Sequence, residues 1–155
     1  MAILKAADIV EMAMELEKSG EAFYRAVADK ATTPGVKALF VDLAEQEARH
    51  YAAFSRLSAV VRDKPIMLAE EWDEYLDYLG ATVQSAFFEG PDKALVAAES
   101  VTSAKQAIQM AMAFEKETML FFHDLRDVAA GRDEEVIARI IDVERTHLKR
   151  LASML

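Results

Sequence analysis

The chain has 155 residues, 53% hydrophobic and 29% charged, a balance that suits one globular domain with one core (residues 1–155) rather than a disordered segment. A net charge of −9 with no block of Lys and Arg disfavours nucleic acid, and no apolar run approaches the roughly 20 residues that span a bilayer. The absence of cysteine excludes disulfides, thiolate metal sites, iron–sulfur clusters and thiol nucleophiles.

Five glycines and three prolines are set among abundant Ala, Leu, Glu, Lys, Met and Arg, so an all-α fold is expected. The opening residues lack a basic stretch followed by a long apolar one, so no signal peptide is expected. The cytoplasm is the default location.

The first predicted helix runs from Ala6 to Ala31. Its stripe is Ala6, Val10, Ala13, Glu17, Gly20, Tyr24, Val27 and Ala31, in alternating steps of four and three. Thr33 then reads as an N-cap with Pro34 at the first helical position. The second helix reaches Leu57, with the stripe Val36, Leu39/Phe40, Leu43, Glu47, His50, Phe54 and Leu57.

Some 40 residues follow, from about Val60 to Val101, enough to cross the length of a bundle and form short helices. Trp72, Tyr75, Leu76 and Leu79 have helical spacing, and Phe87-Phe88 precede a Gly90-Pro91 break. This segment is expected to pack as a hydrophobic lid, to form a dimer interface, or both.

The third helix is predicted over Thr102–Ala129, with Ser103 and Gln106 as a capping box and Gly131 as its stop. Its stripe is Ala104, Ile108, Ala111, Glu115, Thr118, Phe122, Leu125 and Ala129. The fourth begins near Asp133, a candidate N-cap, and carries Ile137, Ile140, Glu144, His147, Leu151 and Met154. The short links between helices one and two, and between three and four, predict two antiparallel hairpins. The halves resemble each other. AMELEKSGEAFY at 13–24 aligns with AMAFEKETMLFF at 111–122, offset by 98, and Glu-x-x-His recurs at an offset of 97. An approximate two-fold axis between the hairpins follows.

Each apolar stripe carries a Glu near its middle, and two of them add a His three residues later, on the same helical face. The predicted core therefore holds Glu17, Glu47, His50, Glu115, Glu144 and His147. No stripe supplies Lys or Arg, and a buried unpaired carboxylate costs several kcal/mol or takes up a proton. Two divalent cations would balance four carboxylates, and oxygen with imidazole nitrogen suits iron, manganese or zinc. One Glu from each of two helices with Glu-x-x-His from each of the others is the arrangement of dimetal carboxylate bundles. Against this, a single Glu-x-x-His is weak evidence, and glutamates at stripe edges can reach water.

Other polar residues read differently. His123 lies off the third stripe and is expected at the surface. Glu15, Glu21, Glu45 and Glu117 are expected on solvated faces, with Glu21 and Glu117 as possible extra carboxylates. Tyr24, two turns past Glu17, is either a core aromatic with its hydroxyl satisfied or a group that bonds a metal ligand or lines a substrate route. Gly20 and Thr118, one turn past Glu17 and Glu115, leave room for a small oxidant or simply allow close packing.

On Glu17-Lys18 with Phe23-Tyr24, Glu47-x-x-His50, Glu115-Lys116 with Phe121-Phe122, and Glu144-x-x-His147, the chain resembles the rubrerythrin-like branch of the ferritin-like superfamily. The likeness covers residues 8–57 and 102–152. It implies a ferritin-like four-helix bundle of two hairpins joined by a long crossover. It also implies Glu17 and Glu115 as terminal ligands, Glu47 and Glu144 as bridges, and His50 and His147 each on one ion. Full rubrerythrins carry a Cys-rich rubredoxin domain that delivers electrons; this Cys-free chain would need an external electron donor. They also place an additional Glu where this chain has Thr118. The six-ligand set is nearer to bacterioferritin, but the long middle segment and short fourth helix do not support a cage.

The leading expectation is a di-iron oxidoreductase that reduces O2 or peroxide, with ferrous iron as one candidate donor, and with Glu47, Glu144 and Tyr24 at its reacting centre. Alternatives are an iron-handling protein without turnover, an oxygenase of an organic substrate, and a structural dimer with a vestigial site. A homodimer is expected by analogy of fold.

Overall fold

The computed structural model describes residues 6–61, 90–128 and 132–155, with Tyr78 and Ala81 as isolated positions. Five helices fill these stretches: α1 (Ala6–Lys30), α2 (Pro34–Val61), α3 (Pro91–Ser100), α4 (Ala104–Val128) and α5 (Arg132–Ala152). No strand occurs among the described residues.

The helix ends follow local chemistry. Asp8 in the first turn of α1 and Lys30 in its last complement the helix dipole. Pro34 opens α2 as expected, and the Lys37 amide donates to the Thr33 carbonyl at 3.0 Å. Gly90, at φ 88°, precedes Pro91 at the start of α3, in a left-handed conformation that a side chain would strain. The far end of α3 is capped from another helix. Lys30 Nζ donates to the carbonyls of Ala98, Glu99 and Val101 at 3.0, 3.1 and 2.9 Å.

The start of α4 differs from the expected capping box. The Gln106 amide does donate to Ser103 Oγ (3.1 Å), but Gln106 Oε1 accepts from Thr102, not Ser103. Thr102 offers it both an amide and a hydroxyl, at 2.8 and 3.0 Å, so one oxygen gains two donors. Boundaries also shift: α2 continues past Leu57 to Val61, and α5 starts at Arg132, one residue before Asp133. Trp72, Tyr75, Leu76, Leu79, Phe87, Phe88 and Gly131 lie outside the described residues, so of the expected crossover helices α3 is the one described.

Helices α1 and α2, joined by three residues, pack along each other as one hairpin; α4 and α5 form the other. Across the bundle α1 meets α4 and α2 meets α5, while α3 lies on α1. The stripes face inward, from Val10 to Val27, Val36 to Leu57, Ile108 to Leu125 and Ile137 to Leu151. Among the described stripe residues, Ala104 and Met154 at the ends are exposed. Each of the four bundle helices touches at least two others, so its apolar face is wider than one stripe. Leu16, Phe23, Phe114, Phe121 and Ile141, flanking the stripes, are therefore buried as well.

Candidate metal centre

The core is apolar except at its middle. Glu17 on α1, Glu47 and His50 on α2, Glu115 on α4, and Glu144 and His147 on α5 meet there. All four glutamates are 0% exposed, so no stripe-edge route to water exists for them. The three-residue spacing puts each histidine on its glutamate's face, as the helical period requires.

The side chains form two overlapping groups. Glu17, Glu47, His50 and Glu144 offer one ligand atom each, all within 4.8 Å of one another, and so do Glu47, Glu115, Glu144 and His147. Glu47 and Glu144 belong to both. His50 Nδ1 approaches Glu144 Oε1 at 2.6 Å and Glu17 Oε2 at 3.5 Å. His147 Nδ1 lies 2.8 Å from Glu144 Oε2, 3.4 Å from Glu47 Oε1 and 3.5 Å from Glu115 Oε1. The two imidazoles stack, with centroids 5.8 Å apart and planes 23° from parallel.

These approaches are close, but they lack hydrogen-bond geometry. Both oxygens of Glu17, Glu47 and Glu144, Oε2 of Glu115, and Nδ1 of both histidines have no hydrogen-bond partner. Leaving one such buried group unsatisfied costs about 1–3 kcal/mol, more if charged. Carboxylate oxygens and imidazole nitrogens that converge while mostly lacking hydrogen-bond partners suit cations, so this donor set fits a pair of divalent ions.

The electrostatics agree. Burial, reinforced by the nearby Glu144 charge, pushes Glu17, Glu47 and Glu115 well above the usual carboxylate range. Burial alone would raise Glu144 too, but contact with His147 and His50 holds it down at about 2. Burial opposes the charge on His147, yet Glu115, Glu144 and Glu47 together raise it to about 12. His50 is raised by Glu144 against the same desolvation. Without a cation, protons do part of the neutralising.

Tyr24 is a core aromatic whose hydroxyl is satisfied. It is fully buried, and its hydroxyl donates to Glu115 Oε1 at 2.5 Å. Burial, with the Glu115 charge next, pushes the phenol well above its ordinary value, so it stays a donor. Phe122, its counterpart in the other half, has no hydroxyl, and both Glu17 oxygens lack a partner. The two halves are thus chemically unequal at this point.

Gly20 serves close packing. A Cβ there would lie 2.8 Å from Phe114 Cε1 and 3.0 Å from Glu47 Oε2. Thr118 is fully buried, with Oγ1 unpartnered. His123 is half-buried rather than at the surface, and stands outside both groups of four. Glu15 and Glu45 are exposed, while Glu21 and Glu117 are half-buried, Glu21 pairing with Arg25 at 2.8 Å. The sequence reading missed Phe114, which fills the space above Gly20 and meets the Tyr24 ring edge-on at 6.3 Å. A bare glycine on an otherwise filled stripe was the available signal.

The fold and site together define a ferritin-like carboxylate–histidine bundle of the di-iron class. The chain belongs to the rubrerythrin family, whose description "Rubrerythrin" matches residues 8–155. Among solved structures it is similar to a Thermotoga maritima protein described as a ferritin-like diiron-carboxylate protein. Identity is 28% and the TM-score 0.70, over 99% of this chain and 96% of that one. Comparison with the curated proteins found no match.

Proposed function

We propose that this protein holds two iron ions between its four helices and reduces peroxide or O2 with electrons from an external donor. The carrying observation is the buried cluster of unpartnered carboxylate and imidazole atoms in two groups that share Glu47 and Glu144. In this reading Glu17 with His50 would hold one ion and Glu115 with His147 the other, with Glu47 and Glu144 shared between the two groups. When bound, the pair supplies reversible one-electron chemistry at each iron. The chain supplies the rest. Four glutamates set the charge, the phenylalanine-rich core excludes water, and Tyr24 fixes the orientation of Glu115 through its O–H. Reduction of peroxide consumes two electrons and two protons and yields two waters, so the donor must deliver both electrons. Ferrous iron is one candidate donor, two ions being oxidised to ferric for each peroxide reduced.

Metal content is the first test. The protein is analysed as purified, then after anaerobic ferrous loading, beside Glu47→Ala and Glu144→Ala. Two ions per chain in the wild type, and loss of most metal in either variant, are expected. Two ions retained in a variant would refute the bridging assignment, and no tight metal in the wild type would refute the metal reading. Peroxide turnover by the loaded protein then separates the enzyme from an iron-handling protein without turnover.

A further inference from the structure

Thr118 carries a buried hydroxyl that nothing in the chain uses. It is 0% exposed, and Oγ1 has no hydrogen-bond partner. Threonine within a helix commonly bonds the carbonyl one turn back, and here it does not. An unsatisfied buried hydroxyl is unfavourable unless something else supplies a partner.

Its position says what that partner is. Thr118 follows Glu115 by three residues, on the same face of α4, where helical geometry turns both toward the cluster. Its equivalent in the first half, at the offset of 98, is Gly20. That side is closed, because the Phe114 ring and a Glu47 oxygen occupy the space a Cβ would need. The approximate two-fold is therefore broken. At Gly20 the space is filled by an aromatic ring and a carboxylate oxygen, whereas the equivalent position carries a buried hydroxyl with an unspent hydrogen.

We propose that the Thr118 hydroxyl forms one wall of the binding site for a small exogenous molecule at the ion pair, donating a hydrogen bond to it. The ligand class is a small species with an exposed lone pair, of the size of peroxide or azide. The inference rests on the metal reading above.

Azide is the probe. Wild type, Thr118→Val and Thr118→Ser are loaded with iron and oxidised, their metal content is measured, and azide is titrated by its charge-transfer absorption. Val is close to Thr in shape but lacks the hydroxyl, whereas Ser keeps it. Two ions are expected in all three proteins, with azide bound about tenfold more weakly by Thr118→Val, the worth of one net hydrogen bond. Thr118→Ser should recover most of the affinity. A readout independent of metal is the melting of the ion-free proteins. Removing an unsatisfied hydroxyl should raise the Tm of Thr118→Val by about 2–4 °C. Equal azide affinity in wild type and Thr118→Val overturns the inference, as does an iron-loaded wild type that binds no azide. Loss of metal in Thr118→Val also overturns it, by making Thr118 a support for the ligands. A wild type without metal removes the functional reading itself, and shows as an empty metal assay rather than as equal affinities.

Discussion

Substituting Gly20 by alanine sets two effects of known sign against each other. Alanine in a helix interior is favoured over glycine by up to about 1 kcal/mol, largely through the freedom glycine loses on folding. At this position the new Cβ meets Phe114 Cε1 at 2.8 Å and Glu47 Oε2 at 3.0 Å. Carbon atoms in good contact lie about 3.5–4.0 Å apart, so the overlap with the ring is most of an ångström. Phe114 is fully buried and held edge-on against the Tyr24 ring, so it cannot swing away. Overpacking of this kind costs about 1–3 kcal/mol, and the net loss for Gly20→Ala is about 1 kcal/mol, or 2–4 °C in Tm. Because Glu47 is the second neighbour, metal retention should fall as well. Gly35→Ala is the control. Its Cβ would meet nothing closer than Met154 Cε at 3.8 Å, on an exposed stretch of α2, so the protein should keep its Tm or gain slightly. Thermal melts of the ion-free proteins, followed by iron loading, provide the comparison. A Gly20→Ala protein that melts higher than wild type and binds iron equally well would refute the close approach of α1 to α2 and α4 on which the site depends.

Acidity should act on the ion-free protein in an unusual direction. Glu17, Glu47 and Glu115, raised by burial, keep protons in the folded state above the ordinary value of 4.5, where the unfolded chain has lost them. Each proton so retained lowers stability by about 1.4 kcal/mol per pH unit as pH rises. His147, raised to about 12, adds in the same sense, since its stabilisation is complete below 6.5 and is lost as pH climbs toward 12. Glu144, held at about 2, contributes above 4.5 and loses that contribution only as pH falls toward 2. With chelator present, calorimetry should therefore give a higher Tm near pH 5.5 than near pH 7.5, and an opposite slope would contradict the buried carboxylates. Iron-loaded protein should reverse the trend, because protons compete with the ions for the same oxygens. Tyr24→Phe removes the hydrogen bond to Glu115 and should lower the ion-free stability by about 1–2 kcal/mol, read as a drop in Tm of several degrees. An unchanged Tm would show that the hydroxyl bond carries no weight.

Much of this was readable from residue spacing alone. The steps of three and four that mark Val10, Ala13, Glu17 and Gly20 are also the steps that turn them inward, so burial of the glutamates followed from the period. The meeting of the six side chains was legible because apolar neighbours left them nowhere else to go. Other features depend on distance in three dimensions. Lys30 bonding to the carbonyls at the end of α3 joins residues 68 to 71 positions apart, and no local pattern announces it. The pairing of Gln106 Oε1 with both the amide and the hydroxyl of Thr102, rather than with Ser103, is likewise fixed by local geometry that spacing alone does not reveal. Phe114 was hidden because it lies off the stripe that organised the reading, in the wider face a helix needs when it touches two partners.

Neither group of four ligand atoms can be drawn from one hairpin. Glu17, Glu47 and His50 come from α1 and α2, but their fourth member, Glu144, comes from α5; Glu115, Glu144 and His147 likewise need Glu47 from α2. An ion at either position would therefore be a clasp between two helical hairpins, each joined by a short local link. Its binding free energy falls on the docking of the hairpins, the step with the largest sequence separation, and hardly at all on forming either one. Iron would then act chiefly by slowing the separation of the halves. Ion-free and loaded proteins should gather their helices at similar speed and part with them at very different ones.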